Sequence, residues 1–342
     1  MKCVKIKGPK ELVTSSQDML TSTNGSVVIK VASCGICGSD IHYWDLGGPA
    51  GLVMGHEFAG TVVDPGSRTD LKVGDRVTGL PISPCGQCEP CKTGNPQYCI
   101  HTWDKAVGLS LTNPGGYAEY TSCRPDLVKK IPDDMSFNEA AMTEPSAVSL
   151  HAVSLANIKV GTKVLVIGAG IIGLMACEFA RMDGASYIAV LETNMKRAQK
   201  STNLGTADEY FDAKEEGIIN RLKEKTGGGF DVVIECCGNS SAVSEAIEAV
   251  KPSGKIILVG VSLEKVTIPT SAVVLGEIDI KGAIAYTEKD FDTTIDLIAS
   301  KKLDVNKYID DIVPLEKANE SFHRLTSGDD DAVKIIFNPE KN

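Results

Sequence analysis

The sequence lacks the features that mark membrane proteins and nucleic-acid-binding proteins. Its 342 residues contain no uninterrupted apolar stretch of the roughly 20 residues that cross a bilayer, and Met1 to Lys7 hold no apolar run of signal-peptide length. Basic residues are not in excess, because 45 Asp and Glu against 35 Lys and Arg give a formal charge of −10 and a pI near 5.1. Phosphate binding needs a basic surface. We therefore expect a cytoplasmic protein that binds neither membranes nor nucleic acids.

Internal repeats and low-complexity tracts are also missing from the chain. A block of like charge, Asp329 to Asp331, is interpreted as a solvated turn. Hydrophobic residues make up 42% and charged residues 23%, which is the balance of a soluble globular protein. The length favours two domains over one.

Eleven cysteines raise the question of disulfides, but their number is odd and no export signal is recognised, so reduced thiols and metal ligation fit better. Four of them fall within fifteen residues, in the pattern C-x2-C-x2-C-x7-C. They are Cys85, Cys88, Cys91 and Cys99. Four thiolates on short turns predict a closed, structural zinc site. Disulfides or buried thiols, a nucleic-acid-binding zinc ribbon and an iron–sulfur cluster are the alternatives, and the acidic charge disfavours the ribbon.

The first 135 residues contain short β-rich runs separated by glycine, which predict an irregular β-barrel or sandwich. These runs are 27–31, 59–63 and 75–77. At Ser136 the pattern changes, since Glu139 follows three residues later and completes a capping box that begins a helix. Pro145 is expected to interrupt this helix and to displace Glu144 from helical geometry, so that its carboxylate can point into a cleft.

From Lys163 onward, apolar strands alternate with helices, which predicts a parallel sheet covered on both faces. The expected strands are 164–167, 187–191, 231–234 and 255–259, and the expected helices include 171–183 and 195–204. After Gly282 this alternation is lost.

A glycine-rich motif follows the first of these strands and begins a helix, as in dinucleotide-binding proteins. It consists of Gly168, Ala169, Gly170, Ile171, Ile172 and Gly173. Glycines at these positions allow a tight turn, close approach of a pyrophosphate and close helix–strand packing. Glu192 ends the second strand, where an acid hydrogen-bonds ribose hydroxyls and repels a 2′-phosphate. We therefore predict NAD rather than NADP, although Lys196 and Arg197 weaken the repulsion.

Two glycine-rich segments carry the ligand types of an open, catalytic zinc site. Residues 34–42 hold Cys34, Cys37 and His42, and residues 55–57 hold His56 and Glu57. Taken singly, the cysteine pair could be a redox C-x-x-C motif and His56 a core histidine. Beside a nicotinamide-binding fold and a structural zinc, a second metal is the better interpretation.

Together these motifs resemble the zinc-dependent medium-chain dehydrogenase/reductase superfamily, and within it the branch of sorbitol, xylitol and butanediol dehydrogenases. The resemblance covers essentially the whole chain and depends on residues 34–44, 55–57, 85–99, 143–145 and 168–173. It implies oxidation of a secondary alcohol, a polyol or sugar alcohol, by zinc-assisted transfer of hydride to NAD.

The resemblance also implies the roles of single residues. Cys37, rather than Cys34, and His56 would bind the catalytic zinc, and the third contact would be Glu57 or Glu144. Asp40 would orient His56. Ser39 and His42 would carry the proton away from the substrate hydroxyl.

The fold implied is α/β, with a GroES-like β-barrel catalytic domain and a Rossmann domain built on a doubly wound parallel sheet. The catalytic domain would comprise residues 1–149 and 287–342 with a zinc lobe at 85–99, and the NAD-binding domain residues 150–286, with the active site in the cleft between them. The last sheet strand, around Ile278 to Lys281, would pair with its twin in a homodimer or homotetramer.

Two other functions remain open at this point. A threonine or other amino-alcohol dehydrogenase would share the zinc and NAD motifs. A non-catalytic sensor that binds zinc and NAD would have no need of the Ser39 and His42 relay.

Overall fold

The computed structural model describes residues 1–262 and 264–341, which form two compact units. The first unit consists of Met1–Pro145, Thr287–Ser327 and the residues from Lys334 onward, and the second of Ser146–Tyr286 with Gly328–Val333. Within the described ranges, every helix is too short or too polar to span a bilayer. The domain limits given above stay a prediction about which parts act as catalytic and nucleotide-binding domains.

The strands and helices have the following bounds. The strands are β1 (Lys2–Gly8), β2 (Glu11–Ser16), β3 (Val27–Gly35), β4 (Glu57–Asp64), β5 (Arg76–Gly79), β6 (Tyr120–Cys123), β7 (Val128–Lys130), β8 (Lys163–Ile167), β9 (Tyr187–Glu192), β10 (Glu209–Asp212), β11 (Phe230–Glu235), β12 (Val250–Leu258), β13 (Asp279–Gly282), β14 (Asp311–Val313) and β15 (Ile335–Phe337). The helices are α1 (Gly38–Leu46), α2 (Glu89–Lys92), α3 (Phe137–Ala141), α4 (Thr143–Ala156), α5 (Ile171–Met182), α6 (Met195–Asn203), α7 (Ile218–Thr226), α8 (Ser240–Ala249), α9 (Thr270–Gly276), α10 (Glu288–Ala299) and α11 (Ala318–Thr326).

The main sheet of the first unit brings three distant segments together at one end of β3. Its strand order is β14-β15-β3-β4-β5-β7, with β6 also paired to β3, while β1 and β2 form a separate antiparallel pair. Gly35 at the end of β3 lies opposite Glu57 of β4 on one side and Ile336 of β15 on the other. The cysteine segment after β3 therefore begins next to the segment that carries His56.

The second unit contains a six-stranded parallel sheet in the order β10-β9-β8-β11-β12-β13. The chain moves outward from β8 to one edge and then returns to β11 on the other side, so the order reverses between β8 and β11. Ligands of doubly wound sheets bind at the carboxyl ends of the strands at such a reversal. This sheet confirms the predicted Rossmann architecture.

The prediction for Pro145 was wrong. The capping box of Ser136 and Glu139 begins α3 as expected, but α3 ends at Ala141 and α4 begins at Thr143. Pro145 therefore lies in the first turn of α4, where a missing backbone N–H costs little. Glu144 is helical, and the break between the two helices lies at Met142 rather than at Glu144.

Candidate metal and nucleotide sites

The four-cysteine lobe brings all four sulfurs together. The Sγ atoms of its cysteines lie within 4.8 Å of one another, and three of the four side chains are only half-buried. They are Cys85, Cys88, Cys91 and Cys99. Four thiols at this spacing match a tetrahedral zinc site that leaves no position for a substrate.

Backbone N–H groups of neighbouring residues prepare two of these sulfurs for a cation. Gln87 and Cys88 donate to Cys85 Sγ at 3.4 and 3.3 Å, which lowers the pKa of Cys85 to about 6. The N–H groups of Cys85 and His101 donate to Cys99 Sγ. These hydrogen bonds lower the pKa of Cys99 as well, and the one from Cys85 has the larger effect. Since the thiolate is the form that binds zinc, this lobe fits a structural zinc ion.

Cys37 and His56 are neighbours at the end of β3. Cys37 is the N-cap of α1, and its backbone N–H donates to Asp40 Oδ2 at 3.0 Å in a capping box. The hydroxyl of Ser39 donates to Cys37 Sγ at 3.4 Å. Cys34 lies in β3 and is fully buried, and burial raises the pKa of its thiol well above the usual range. Cys37 is therefore the better placed ligand of the pair.

His56 is buried between a thiol and a carboxylate. Burial lowers its pKa, but Asp40 and Cys37 raise it more, so the pKa lies well above the usual value. His56 Nδ1 and Asp40 Oδ1 lie 3.6 Å apart, beyond hydrogen-bond distance, and neither atom has another hydrogen-bond partner among the described residues. An imidazole that faces a buried carboxylate in this way is typical of a metal-binding histidine.

Glu57 is engaged in a fully buried ion pair with Lys334. The Lys334 Nζ lies 2.8 and 2.5 Å from the two carboxylate oxygens, and it also donates to the carbonyl of Ile36 at 2.7 Å. The two side chains are 0% and 1% exposed. Gly35 makes room for this pair, because a Cβ there would lie 2.0 Å from Glu57 Oε2. Both oxygens of Glu57 are thus used by a cation of the protein itself.

Glu144, the other expected carboxylate, is buried in the first turn of α4. In the part of the chain that the structure describes, only the four-cysteine lobe has three or more ligand atoms all within 4.8 Å of one another. The structure therefore brings Cys37 and His56 together but does not join Glu144 to them at that spacing.

Ser39 and His42 lie three residues apart on α1, which places them on neighbouring positions of one helix face. Ser39 is half-buried beside Cys37, and His42 is exposed. A hydroxyl near the sulfur and an imidazole in water suit the two ends of a proton relay.

The glycine-rich loop has the geometry that a pyrophosphate requires. Gly168 adopts φ +101°, a conformation that L side chains rarely take, and a Cβ at Gly173 would lie 1.9 Å from the Gly168 carbonyl oxygen. A Cβ at Gly170 would meet no atom within 4 Å, so this glycine faces open space at the N-terminus of α5. A turn glycine, an open glycine and a packing glycine fit a dinucleotide.

Glu192 lines a pocket of about 280 Å³ beside this loop. One of its oxygens accepts the N–H of Ala169 at 2.6 Å, and the other accepts those of Thr193 and Asn194. Glu245 and Lys214 also line the pocket, so its lining has two carboxylates and one amino group. This acidic lining fits ribose hydroxyls better than a phosphate.

The two basic residues near Glu192 are held in α6. Lys196 Nζ donates to the carbonyl of Asp329 at 2.5 Å, and Asn194 binds the same turn through the carbonyls of Gly328 and Asp330. The Arg197 backbone donates to the Asn194 cap, and its side chain is half-buried. The acidic turn thus binds Lys196 and Asn194 through its backbone carbonyls, while Asp329 stays exposed.

Comparisons with known proteins identify the family of this chain. A family model described as a zinc-binding dehydrogenase matches residues 172–300, and one described as an alcohol dehydrogenase GroES-like domain matches residues 23–133. The "Probable D-xylulose reductase A" of Aspergillus clavatus is 34% identical over 88% of this chain and 87% of that protein. The chain belongs to the zinc-dependent medium-chain dehydrogenases.

Other relatives of this dehydrogenase are consistent with that assignment. The D-xylulose reductase A of Aspergillus oryzae is 31% identical over 88% of this chain and 87% of that protein. The crystal structure of 2R,3R-butanediol dehydrogenase from Bacillus subtilis superimposes with a TM-score of 0.88 at 31% identity, over 99% of both chains. As a member of this family, the dehydrogenase uses zinc and NAD(H) to oxidise an alcohol.

Two further residues near Cys37 and His56, Lys334 and Tyr117, were not predicted from the sequence. Lys334 is the single charge in the apolar run 332–337, and a lone cation in such a run signals a buried partner. Tyr117 follows Gly115 and Gly116 and offers no comparable signal. Its hydroxyl donates to Asp40 Oδ2 at 2.6 Å.

Trp44, on the same helix as Ser39, is part of the core of the dehydrogenase. It is 2% exposed, packs against Phe322 and His323, and donates from Nε1 to Asn319 at 3.2 Å. This packing gives Trp44 a structural role in the first unit.

Proposed function

We propose that this dehydrogenase oxidises a secondary hydroxyl of a polyol to the ketone, with NAD as hydride acceptor. The observation that carries the proposal is the pair of the half-buried Cys37 and the buried His56, with the Ser39 hydroxyl 3.4 Å from the Cys37 sulfur. The polyol class is supported by relatives named D-xylulose reductase and butanediol dehydrogenase, which match nearly the whole chain.

Cys37 and His56 are the proposed protein ligands of the catalytic zinc, and Glu144 is the proposed third. We prefer Glu144 to Glu57, because both oxygens of Glu57 accept from Lys334. A zinc ion held there supplies Lewis acidity, which lowers the pKa of the hydroxyl of a bound alcohol. Cys85, Cys88, Cys91 and Cys99 are the proposed ligands of a second, structural zinc.

Ser39 and His42 are proposed to move the proton of the substrate hydroxyl. Ser39 is close enough to Cys37 to accept this proton beside the metal ligands. His42 is exposed on the same helix and can release it to water. A protein that only senses NAD and zinc would not need such a relay.

The nucleotide is proposed to bind along the glycine loop from Gly168 to Gly173, with Ile171 and Ile172 at the start of α5. Glu192 would exchange its bonds to backbone N–H groups for bonds to the ribose hydroxyls. The negative charges of Glu192 and Glu245 disfavour a 2′-phosphate. The positive charges of Arg197 and Lys196 favour one, but Lys196 already donates to the carbonyl of Asp329. We therefore propose NAD as the preferred cofactor.

The experiment that tests this function measures kcat/KM of the zinc-loaded protein with NAD and with NADP in parallel. The substrates are xylitol, sorbitol, 2,3-butanediol and threonine. The highest kcat/KM is expected for a polyol or the diol with NAD. A highest value for threonine would favour an amino-alcohol dehydrogenase, and no NADH from any substrate would favour a sensor.

The assembly is proposed to be a cytoplasmic homodimer or homotetramer. The free state of all eleven cysteines supports a reducing compartment. The strand β13 forms an edge of the parallel sheet, and Val274 and Leu275 nearby are 72% and 86% exposed. An open edge with exposed apolar residues suits pairing with a second copy.

A further inference from the structure

Tyr117 is fully buried and its ring is held in place on several sides. Its centroid lies 4.8 Å from that of Phe337 and 6.1 Å from that of Phe322, both in edge-to-face arrangements. Its backbone is fixed as well, since its N–H donates to Met54 and its carbonyl accepts from Val4. The Tyr117 hydroxyl lies within reach of two acceptors, the Gly35 carbonyl at 3.4 Å and Asp40 Oδ2 at 2.6 Å, and the shorter hydrogen bond is the one to Asp40.

Gly55, the residue before His56, leaves room for the Tyr117 ring because it has no side chain. A Cβ at Gly55 would lie 2.5 Å from the Tyr117 ring and 2.8 Å from Cys34 Sγ. Gly55 also adopts φ +99°, which L side chains rarely take. The backbone that carries His56 is therefore packed directly against Tyr117.

The Tyr117 hydroxyl binds the carboxylate that connects both proposed ligands. It donates to Asp40 Oδ2 at 2.6 Å, and the same oxygen accepts the N–H of Cys37 at 3.0 Å. The other oxygen, Oδ1, faces His56 Nδ1 at 3.6 Å. Asp40 is 0% exposed, so loss of the Tyr117 hydroxyl would leave a buried carboxylate oxygen with one donor fewer, at a cost in free energy.

We propose that Tyr117 is a positioning residue for the catalytic metal: its hydroxyl fixes Asp40, which in turn holds Cys37 and His56 in place for the ion. This inference rests on the proposed function only for the ligands Cys37 and His56. Outer partners of metal ligands typically change metal affinity about 10- to 100-fold. Because Tyr117 acts through Asp40, we expect the lower end of that range.

Zinc release from the holoenzyme tests the proposal with Tyr117→Phe, which keeps the ring and removes the hydroxyl. The rate of transfer to a colorimetric chelator is measured for both zinc ions of each chain. One ion is expected to leave about tenfold faster than in the wild type, and the other at an unchanged rate. The variant Cys85→Ser shows which ion belongs to the four-cysteine lobe. It should lose only the ion whose release rate is unchanged in Tyr117→Phe.

The matched control is Tyr187→Phe in the second unit, which also loses a hydrogen bond from a tyrosine hydroxyl to a carboxylate, here to Glu209 at 2.9 Å. It is expected to release both ions at wild-type rates. Equal acceleration of both ions in Tyr117→Phe, or no acceleration, would overturn the proposal, because general loosening of the fold does not select one site.

A double variant separates a specific role from a merely structural one. If Tyr117 acts through Asp40, Tyr117→Phe should add nothing to the release rate of Asp40→Asn. Additive rates would overturn the proposal. The absorption bands of cobalt-substituted protein give a second readout, with a shift expected in Tyr117→Phe and none in Tyr187→Phe. Neither measurement depends on which alcohol is oxidised.

Discussion

The four-cysteine lobe and the Cys37–His56 site are built in opposite ways. In the lobe, the ligands and the N–H groups that prepare them come from residues 85–101, and the longest of these contacts spans 14 positions. At the Cys37–His56 site, the supporting contacts reach 77 positions along the chain, from Asp40 to Tyr117, and 277 positions, from Glu57 to Lys334. The lobe is a local site, whereas the Cys37–His56 site is assembled by the fold around the buried side chains of Asp40 and His56.

This difference indicates what each site needs from the rest of the protein. A local site can form as soon as its metal is present, because its turns already bring the ligands together. The assembled site depends on the sheet register that places β3, β4 and β15 side by side. Changes far away in the sequence should therefore disturb the Cys37–His56 site and leave the lobe intact.

The largest effect is expected for Cys37→Ser, which removes a ligand of the assembled site. Turnover should fall by more than about 100-fold, since even outer partners of metal ligands cost 10- to 100-fold. Cys34→Ser is the control, because Cys34 is a buried thiol three residues away that we do not place on the metal. The measurement is kcat with NAD and the best polyol. Equal losses in both variants would contradict the distinction between the two cysteines.

The next largest effect concerns the buried ion pair of the assembled site. Lys334→Met leaves Glu57 charged and unpaired in a position that is 1% exposed, so unfolding should become easier by about 3–5 kcal/mol. The double variant Glu57→Gln with Lys334→Met removes both charges and should recover most of this loss. Urea unfolding of the zinc-loaded protein measures both. A double variant less stable than Lys334→Met would refute this view of the pair.

A smaller effect is expected for His42→Ala, since His42 is exposed and water can replace it in part. Activity should fall by about 100-fold at most, the lower end for a general acid or base, while zinc content and unfolding stay unchanged. Adding imidazole to the assay should restore part of the activity of this variant. A wild-type rate without imidazole would exclude His42 from the proton path.

The smallest effect is expected in the second unit, at the glycine-rich nucleotide loop. Like the ligands of the lobe, the residues of this loop are close together in the sequence. Glu192→Gln removes one of the carboxylates that face the pocket, so kcat/KM for NADP should rise roughly tenfold relative to NAD. Glu245→Gln, which changes the other carboxylate that lines the pocket, is the comparison variant. An unchanged cofactor ratio in Glu192→Gln would mean that this carboxylate does not set the preference.

The same contrast explains what the sequence could predict. The lobe and the glycine loop were recognisable because their residues are close in the chain, and Gly168 and Gly173 have the geometry expected of the motif. The partner of Glu57 was not predictable in this way, because Lys334 comes from the far end of the chain. Only its isolation among apolar residues hints at a buried partner.

The error at Pro145 has a different physical origin. Proline stops a helix only when the helix has already begun, and in the first turn it is tolerated. The sequence could not tell one helix interrupted at Pro145 from two helices divided at Met142. The position of Glu144 near the start of α4 follows from that division.

The most direct test of two sites with separate roles counts zinc per chain, by elemental analysis, in the wild type and in Cys37→Ser. We predict two ions in the wild type and one in the variant, which should stay folded and form no NADH from a polyol. One ion in the wild type, or two ions in an inactive Cys37→Ser variant, would contradict the assignment of Cys37 to a catalytic metal.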